Sequence, residues 1–200
     1  SGTVDIPASK SHTVRALILG ALGEGESTIL APLVSFDTLS CIDAVTALGA
    51  AVERFGDRWT VEGTGGAPLV PDTVIDVGNS GTTLYMAMGS AALVDGISVI
   101  TGDSQIRRRS AGPLIDTLNG LGSSVRSTRD NGCAPVIVRG PLRGGETSVD
   151  AVTSQYVSSL LLACPLASGD SVVHVTGLNE RPYVEMTLAW LDDLGVRTVR

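Results

Sequence analysis

The sequence predicts a mixed α/β (α+β) fold in which three copies of one unit surround buried helices. Three observations support this prediction. A Leu-Gly pair recurs at equal intervals, apolar helical runs follow clusters of small polar residues, and β-rich runs follow glycines. A conventional layered α/β sandwich would give a similar pattern and stays an alternative. The three pairs are Leu48-Gly49, Leu121-Gly122 and Leu194-Gly195.

The first unit covers about residues 9–75 and starts with a helix. The run Lys10–Ala21 has little polar surface on any side, which is typical of a buried helix. A glycine-containing turn leads to a predicted strand at Ser27–Leu30, and a second helix follows. The unit then ends in a β-hairpin with Gly56 and Asp57 at its tip, where positive φ angles are easily adopted.

The second unit covers about residues 76–145 and repeats this order. A small-polar cluster begins a buried helix over 79–93, and a strand is predicted at Ile97–Thr101. The second helix of the unit precedes a hairpin over 124–138, whose tip at 130–132 consists of Asp, Asn and Gly.

The third unit covers about residues 146–200 and is predicted to be truncated. Its buried helix runs over 153–167 and its first strand is Val172–Val175. Its second helix opens at Arg181-Pro182-Tyr183, with proline in the first turn. The sequence reaches Arg200 inside what would be the first hairpin strand. A truncated sheet exposes an edge, which predicts a tendency to self-associate.

The composition excludes several classes of protein. The 200 residues are 43% hydrophobic and 18% charged, which is typical of a globular chain. A net charge of −7 argues against a general nucleic-acid or acidic-membrane surface. No apolar run approaches the roughly 18 residues of a membrane span, and no signal peptide is visible. Three well-separated cysteines without a Cys/His cluster predict reduced thiols in a cytoplasmic protein and argue against a zinc site. No glycine-rich nucleotide-binding motif occurs, so nucleotide binding by such a loop has no support.

Cations accompany the polar starts of the predicted buried helices. The only lysine, Lys10, lies at the first helix start, with Arg15 one turn after Ser11. Helix N-termini attract anions, so three such ends on one face would bind phosphate or carboxylate. The run Arg107–Arg109 is expected to contribute at least one guanidinium to this site. N-capping and a solvated basic patch are the alternatives, and Asp37 is either a helix cap or a site residue.

Five motifs occur in the order and spacing of one enzyme family. They are Ser9-Lys10-Ser11 with Arg15, Gly78–Thr83, Thr101–Asp103 with Arg107–Arg109, Ser154–Tyr156, and Arg181–Tyr183 with Glu185–Leu188. With these motifs, nearly the whole sequence resembles the 5-enolpyruvylshikimate-3-phosphate (EPSP) synthases. The related UDP-N-acetylglucosamine enolpyruvyl transferases usually have Lys-Asn at the position of Lys10-Ser11, so they fit less well.

The resemblance implies two similar domains, each made of three βαβαββ units around buried helices. It therefore implies a chain about twice as long, of which residues 1–200 form the N-terminal domain. Residues 1–7 would pair with the second, C-terminal domain. That missing domain would be needed for activity, so the 200-residue chain alone is expected to be inactive.

The resemblance also implies a reaction in aromatic amino-acid biosynthesis. The enolpyruvyl group of phosphoenolpyruvate passes to the 5-hydroxyl of shikimate 3-phosphate, and phosphate leaves after a tetrahedral intermediate. No cofactor or metal is implied. By resemblance, Lys10 is catalytic and contacts phosphoenolpyruvate together with Gly81, Arg109 and Gln155. The implied shikimate 3-phosphate ligands are Ser11, Arg15, Thr153, Ser154, Gln155 and Tyr183.

Several positions depart from the family pattern, and two of them bear on binding of the acceptor. Tyr85 replaces an arginine, and Glu180 replaces a serine that usually helps to hold the substrate phosphate. Because a carboxylate repels a phosphate, these changes leave two alternatives open. The chain is a divergent enolpyruvyl transferase with another acceptor, or a non-catalytic module that binds anions.

Overall fold

A computed structural model describes residues 2–4 and 6–199 of the chain. Within those residues the chain forms six α-helices and nine strands, with short 3₁₀ turns at Ile106–Arg108 and Cys164–Leu166. The elements in chain order are α1 (Lys10–Leu22), β1 (Glu26–Leu30), α2 (Phe36–Ala47), β2 (Ala51–Phe55), β3 (Arg58–Glu62), β4 (Ile75–Asp76), α3 (Gly81–Ala92), β5 (Ile97–Thr101), α4 (Gly112–Gly120), β6 (Ser124–Ser127), β7 (Val136–Arg139), β8 (Gly145–Asp150), α5 (Ser154–Ala163), β9 (Ser171–Thr176) and α6 (Arg181–Asp193).

The strands form three small sheets. The first has the order β1-β3-β2, the second β4-β5-β7-β6, and the third β8-β9. In the first two sheets a hairpin lies antiparallel beside β1 or β5, while β4–β5 and β8–β9 are parallel pairs. The mixed α/β class is therefore as predicted. Residues 196–199, where the first hairpin strand of the third unit was predicted, form no strand in the structure. Ser1, Asp5 and Arg200 lie outside the described residues.

The repeated Leu-Gly pairs end α2, α4 and α6. In each pair the leucine is the C-cap and the glycine adopts a positive φ, of 102°, 89° and 75° in chain order. A residue with a Cβ is strained in this conformation, whereas glycine terminates the helix without strain. Each Leu-Gly pair therefore marks the C-terminal end of the second helix of its unit.

The core is centred on α3, whose twelve residues are all buried. It packs closely against α5, because Gly89 of α3 leaves no side chain between the backbone and Ser159. The Ser159 hydroxyl donates to the carbonyl of Tyr85 at 2.6 Å. Helices α1 and α5 are also mostly buried, as the sequence predicts.

Three local features differ from the sequence-based expectation. Helix α5 ends at Ala163 and not at Ala167, because Pro165 has no N–H to continue it, and a 3₁₀ turn follows. Strands β4 and β8 were not recognised from residue patterns. Strand β4 has only two residues, and β8 buries only Val149.

No helix of the described chain is long and apolar enough to cross a membrane.

The cysteines Cys41, Cys133 and Cys164 are free thiols. Cys41 is buried, and this burial raises the pKa of its thiol to about 12. A thiol with such a high pKa is protonated and unreactive at neutral pH.

Candidate functional site

The start of α1 presents the single lysine. The Ser9 hydroxyl caps the helix by accepting from the backbone N–H of His12, and Lys10 is the first helical residue. The side chain of Lys10 is 46% exposed, and its Nζ lies 3.7 Å from Oδ1 of Asp37. Nearly half of this side chain is therefore exposed to solvent, while its ammonium lies beside a carboxylate.

Asp37 links three helix starts and does not cap one. The cap of α2 is Ser35, which exchanges hydrogen bonds with Thr38 in a capping box. The Asp37 carboxylate instead accepts from the Ser80 hydroxyl at 2.8 Å, and Ser80 is the N-cap of α3. Asp37 thereby holds the starts of α1, α2 and α3 together.

Arg109 lies against the start of α3. A Cβ added to Gly81 would stand only 2.6 Å from Nη1 of Arg109, so glycine is what lets the guanidinium approach the helix. Arg107 in the same run turns back, since its Nη1 donates to the carbonyl of Gly102. A guanidinium beside a helix N-terminus adds positive charge to an end that already favours anions.

Two tyrosines hold the segment that carries Arg109. The hydroxyls of Tyr85 on α3 and Tyr156 on α5 both donate to the carbonyl of Ser110, at 2.9 and 2.7 Å. Their rings pack edge to face at 4.9 Å. Burial raises the pKa of both tyrosines above the ordinary value, so both hydroxyls stay protonated donors. The nearby positive charge of Arg109 lowers the pKa of Tyr85 and so opposes the larger effect of burial.

Arg15 is a buried guanidinium, only 2% exposed. Its Nε donates to the Thr187 hydroxyl at 2.8 Å, and Nη2 donates to the Ser158 hydroxyl and the Tyr183 carbonyl. Nη1 donates to the carbonyl of Ser11 at 3.0 Å. Burial lowers the pKa of Arg15 to about 10, which leaves the group charged at neutral pH. Arg15 thus joins α1 to α5 and α6.

The start of α5 carries two hydroxyls and an amide. Thr153 is the N-cap and accepts from the backbone N–H of Gln155. The hydroxyls of Thr153 and Ser154 donate to Oε2 of Glu180, at 3.4 and 3.1 Å. Among the described residues, the side-chain oxygen of Gln155 is buried without a hydrogen-bond partner.

These contacts form a closed circuit near the starts of the six α-helices found in the described residues, and we call this circuit the N-terminal ring. It brings the predicted site residues of α1, α3 and α5 to one face of the molecule, together with Arg109 and Tyr183. Their roles in binding stay predictions. In order, the contacts are Lys10–Asp37, Asp37–Ser80, Tyr85–Ser110, Ser110–Tyr156, Ser154–Glu180 and Tyr183–Arg15.

Several members of the ring were missed or left open by the sequence. The sequence leaves Asp37 as either a helix cap or a site residue. The position of Ser35, three residues before Thr38, predicts that Ser35 is the cap and so favours the site role for Asp37. Tyr85 was noted only as a departure from a family pattern. No sequence signal pairs it with Tyr156, because the two residues meet at a backbone carbonyl.

A groove of about 810 Å³ lies elsewhere, between β1, α1 and α6. Aliphatic side chains such as Leu19, Ile29 and Leu191 contribute to its lining, and none of the nine predicted site residues does. His12 lies at this groove, where its Nδ1 accepts from Nε1 of Trp190 at 3.0 Å. The N-terminal ring, with its converging polar groups, is therefore the candidate site.

Comparison with known proteins gives one consistent result. Residues 1–199 match the EPSP synthase family (3-phosphoshikimate 1-carboxyvinyltransferase). A 3-phosphoshikimate 1-carboxyvinyltransferase of Acetivibrio thermocellus is 56% identical over 197 residues, which are 98% of this chain and 47% of that protein. One of Methanococcoides burtonii is 48% identical over 97% of this chain and 46% of its own length.

A solved structure agrees with these sequence matches. EPSP synthase from Acinetobacter baumannii superimposes with a TM-score of 0.82 at 27% identity, over 92% of this chain and 42% of that one. The chain thus spans about half the length of the curated relatives that it matches. The motifs, the fold and the sequence matches together show that the chain belongs to the EPSP synthase family.

Proposed function

We propose that this chain forms the substrate-binding half of an enzyme that transfers the enolpyruvyl group of phosphoenolpyruvate to the 5-hydroxyl of shikimate 3-phosphate. The observation that carries the proposal is the N-terminal ring, where the helix starts hold Lys10, Arg109 and a cluster of hydroxyls on one face. Both substrates are anions that carry a phosphate and a carboxylate. Helix starts, a lysine and a guanidinium fork are the groups that bind such anions.

The phosphoenolpyruvate position lies between Lys10, Gly81 and Arg109 in this proposal. The fork of Arg109 suits a carboxylate or phosphate, and Gly81 keeps the start of α3 accessible. Lys10 is close enough to Asp37 to be oriented by it, while half of its side chain stays exposed to a ligand. In the reaction, the acceptor hydroxyl loses its proton to a base and its oxygen bonds to C2 of phosphoenolpyruvate, while C3 gains a proton and the C2–C3 double bond becomes single. C3 then loses a proton as phosphate leaves, and Lys10 takes part in this proton transfer.

The shikimate 3-phosphate position lies between α1, α5 and α6. Ser11 and Arg15 belong to α1, and the buried oxygen of Gln155 is an acceptor suited to a substrate hydroxyl. Thr153, Ser154 and Tyr183 complete this side of the site. Arg15 retains one N–H beyond its four protein hydrogen bonds, which leaves a donor for a substrate oxygen.

The proposal includes a second domain and a cellular location. The chain spans about half of its relatives, so we propose that turnover also needs groups outside these 200 residues. The units 9–75, 76–145 and 146–200, the pairing of residues 1–7 with that domain, and the cytoplasmic location belong to the same proposal.

The test is a binding titration that is measured by calorimetry or NMR. We expect the chain to bind shikimate 3-phosphate, and to bind phosphoenolpyruvate in its presence. Arg109→Gln should weaken phosphoenolpyruvate binding about tenfold, a change of about 1.4 kcal/mol. Arg108→Gln is the matched control, because it removes the same charge from the same run. Absence of binding by the chain, or equal losses in both variants, would contradict the proposal.

A second candidate function is the same transfer to an acceptor that lacks the phosphate. The position of Glu180 favours it, because this carboxylate contacts the hydroxyls assigned to the phosphate. Titration with unphosphorylated shikimate separates the two candidates. Tighter binding of shikimate than of shikimate 3-phosphate would favour the second one.

A further inference from the structure

The side chain of Glu180 reaches from α6 to the start of α5. Glu180 is the N-cap residue of α6 and adopts a left-handed backbone conformation, with φ 55° and ψ 40°. Most N-cap side chains bond to their own helix, but that of Glu180 makes no such bond. Its Oε2 instead accepts from the hydroxyls of Ser154 and Thr153.

The two hydroxyls have no further hydrogen to donate. A serine or threonine hydroxyl carries one hydrogen, and in both residues it points to Glu180. The oxygen of Thr153 also accepts from the N–H of Gln155, as its capping role requires. The proposed function assigns these hydroxyls to the phosphate of the acceptor. A phosphate oxygen and the Glu180 carboxylate therefore compete for the same two hydrogens.

No nearby cation compensates the charge of this carboxylate. Within residues 2–4 and 6–199, no lysine, arginine or histidine nitrogen lies within 4.0 Å of it. The adjacent Arg181 pairs with Glu185 at 3.3 Å. A phosphate placed beside Glu180 would meet an uncompensated like charge at a few ångströms, which opposes binding.

We infer that Glu180 occupies the phosphate position of the acceptor in the unliganded protein and lowers the affinity of the site for phosphorylated acceptors. The inference rests on the proposed function, which places the phosphate at Thr153 and Ser154. Glu180 is exposed, so its side chain rotates into solvent when a phosphate enters. The affinity for shikimate 3-phosphate is then lower than the hydroxyls and helix start alone would give.

The test compares four forms of the chain by calorimetry, with shikimate 3-phosphate and shikimate as ligands. Glu180→Ser removes the carboxylate, and Glu180→Gln removes only its charge. Glu185→Gln is the control, because it removes the same charge from the first turns of α6. We expect both Glu180 variants to bind shikimate 3-phosphate about tenfold more tightly, as removal of one like charge predicts. Their affinity for shikimate, and the affinities of Glu185→Gln, should match the unsubstituted chain.

Each other outcome has a defined meaning. Unchanged or weaker binding of shikimate 3-phosphate by the Glu180 variants would overturn the inference and leave the proposed function standing, provided that the unsubstituted chain binds this ligand. An equal gain for shikimate, or an equal gain in Glu185→Gln, would overturn it as well. Binding by none of the four forms would overturn both proposals. Circular dichroism of each variant checks that the fold is unchanged.

Discussion

The two sides of the N-terminal ring each contain one carboxylate, and the two carboxylates have different surroundings. On the side of α1, α2 and α3, Asp37 contacts the ammonium of Lys10 and the hydroxyl of Ser80. On the side of α5 and α6, Glu180 contacts the hydroxyls of Ser154 and Thr153 and no cation in the described chain. The first carboxylate lies beside a cation, and the second accepts from hydroxyls that the proposed function assigns to an anionic ligand.

At the candidate site, the effect of each carboxylate depends on the group that it contacts more than on its presence alone. Beside Lys10, Asp37 reduces the local positive charge but fixes where the ammonium lies. Beside hydroxyls, Glu180 adds negative charge and uses up donors. Five substitutions test this difference, first in the framework that joins the two sides and then within the first side.

The largest effect is expected for Arg15→Met, because Arg15 connects both sides. Loss of the guanidinium removes four hydrogen bonds, including those that it donates to the buried hydroxyls of Thr187 and Ser158. We expect the free energy of unfolding to fall by about 3 kcal/mol, as removal of a buried charged donor predicts. Urea denaturation measures it. Arg181→Met, whose side chain is 73% exposed, is the control and should change stability little. Equal losses in the two variants would contradict a structural role for Arg15.

The next effect concerns the tyrosine pair that joins α3 to α5. Tyr85→Phe and Tyr156→Phe each leave one donor on the carbonyl of Ser110, so each should cost about 1 kcal/mol. The double variant leaves this carbonyl without either donor and should cost more than the sum, about 3 kcal/mol. A double-mutant cycle by urea denaturation measures the coupling. Strict additivity would show that the shared carbonyl does not couple the two tyrosines.

The same pair gives a pH prediction. Burial raises the pKa of Tyr85 and Tyr156 above the ordinary 10, so the unfolded chain releases these protons first as pH rises. Stability should be fully present below about pH 10 and decline above it. The decline should be shallower in the double phenylalanine variant. An unchanged slope would mean that other groups govern alkaline unfolding.

Sequence patterns identify most elements of this fold because its units carry repeated local signals. The Leu-Gly helix ends, the polar helix starts and the hairpin tips each have a local physical cause. Strand β8 lacks such a signal, since its side chains are mostly exposed and its partner β9 is distant in sequence. Arg15 was predicted at the site, but its burial depends on Ser158 and Thr187, which lie far along the chain. The direction of the Glu180 side chain likewise depends on a tertiary contact.

Within the first side of the ring, Gly81→Ala is expected to act on phosphoenolpyruvate binding alone. The new Cβ would stand 2.6 Å from Nη1 of Arg109 and displace the flexible end of that side chain. We expect about tenfold weaker phosphoenolpyruvate binding, equivalent to about 1.4 kcal/mol, with little change for shikimate 3-phosphate. Calorimetry with each ligand measures the two affinities. An equal loss for both ligands would mean that the substitution disturbs the whole ring.

The smallest effect is expected for Asp37→Asn, which is the direct counterpart of Glu180→Gln. The amide oxygen of asparagine still accepts from Ser80, so only the ion pair with Lys10 is lost. Because both partners are partly exposed, at 46% and 31%, stability should fall by only about 0.5 kcal/mol. The affinity for shikimate 3-phosphate should stay unchanged, whereas Glu180→Gln raises it. If Asp37→Asn raised this affinity equally, the effect of Glu180 would be a general consequence of net charge, and the contrast between the two carboxylates would be lost.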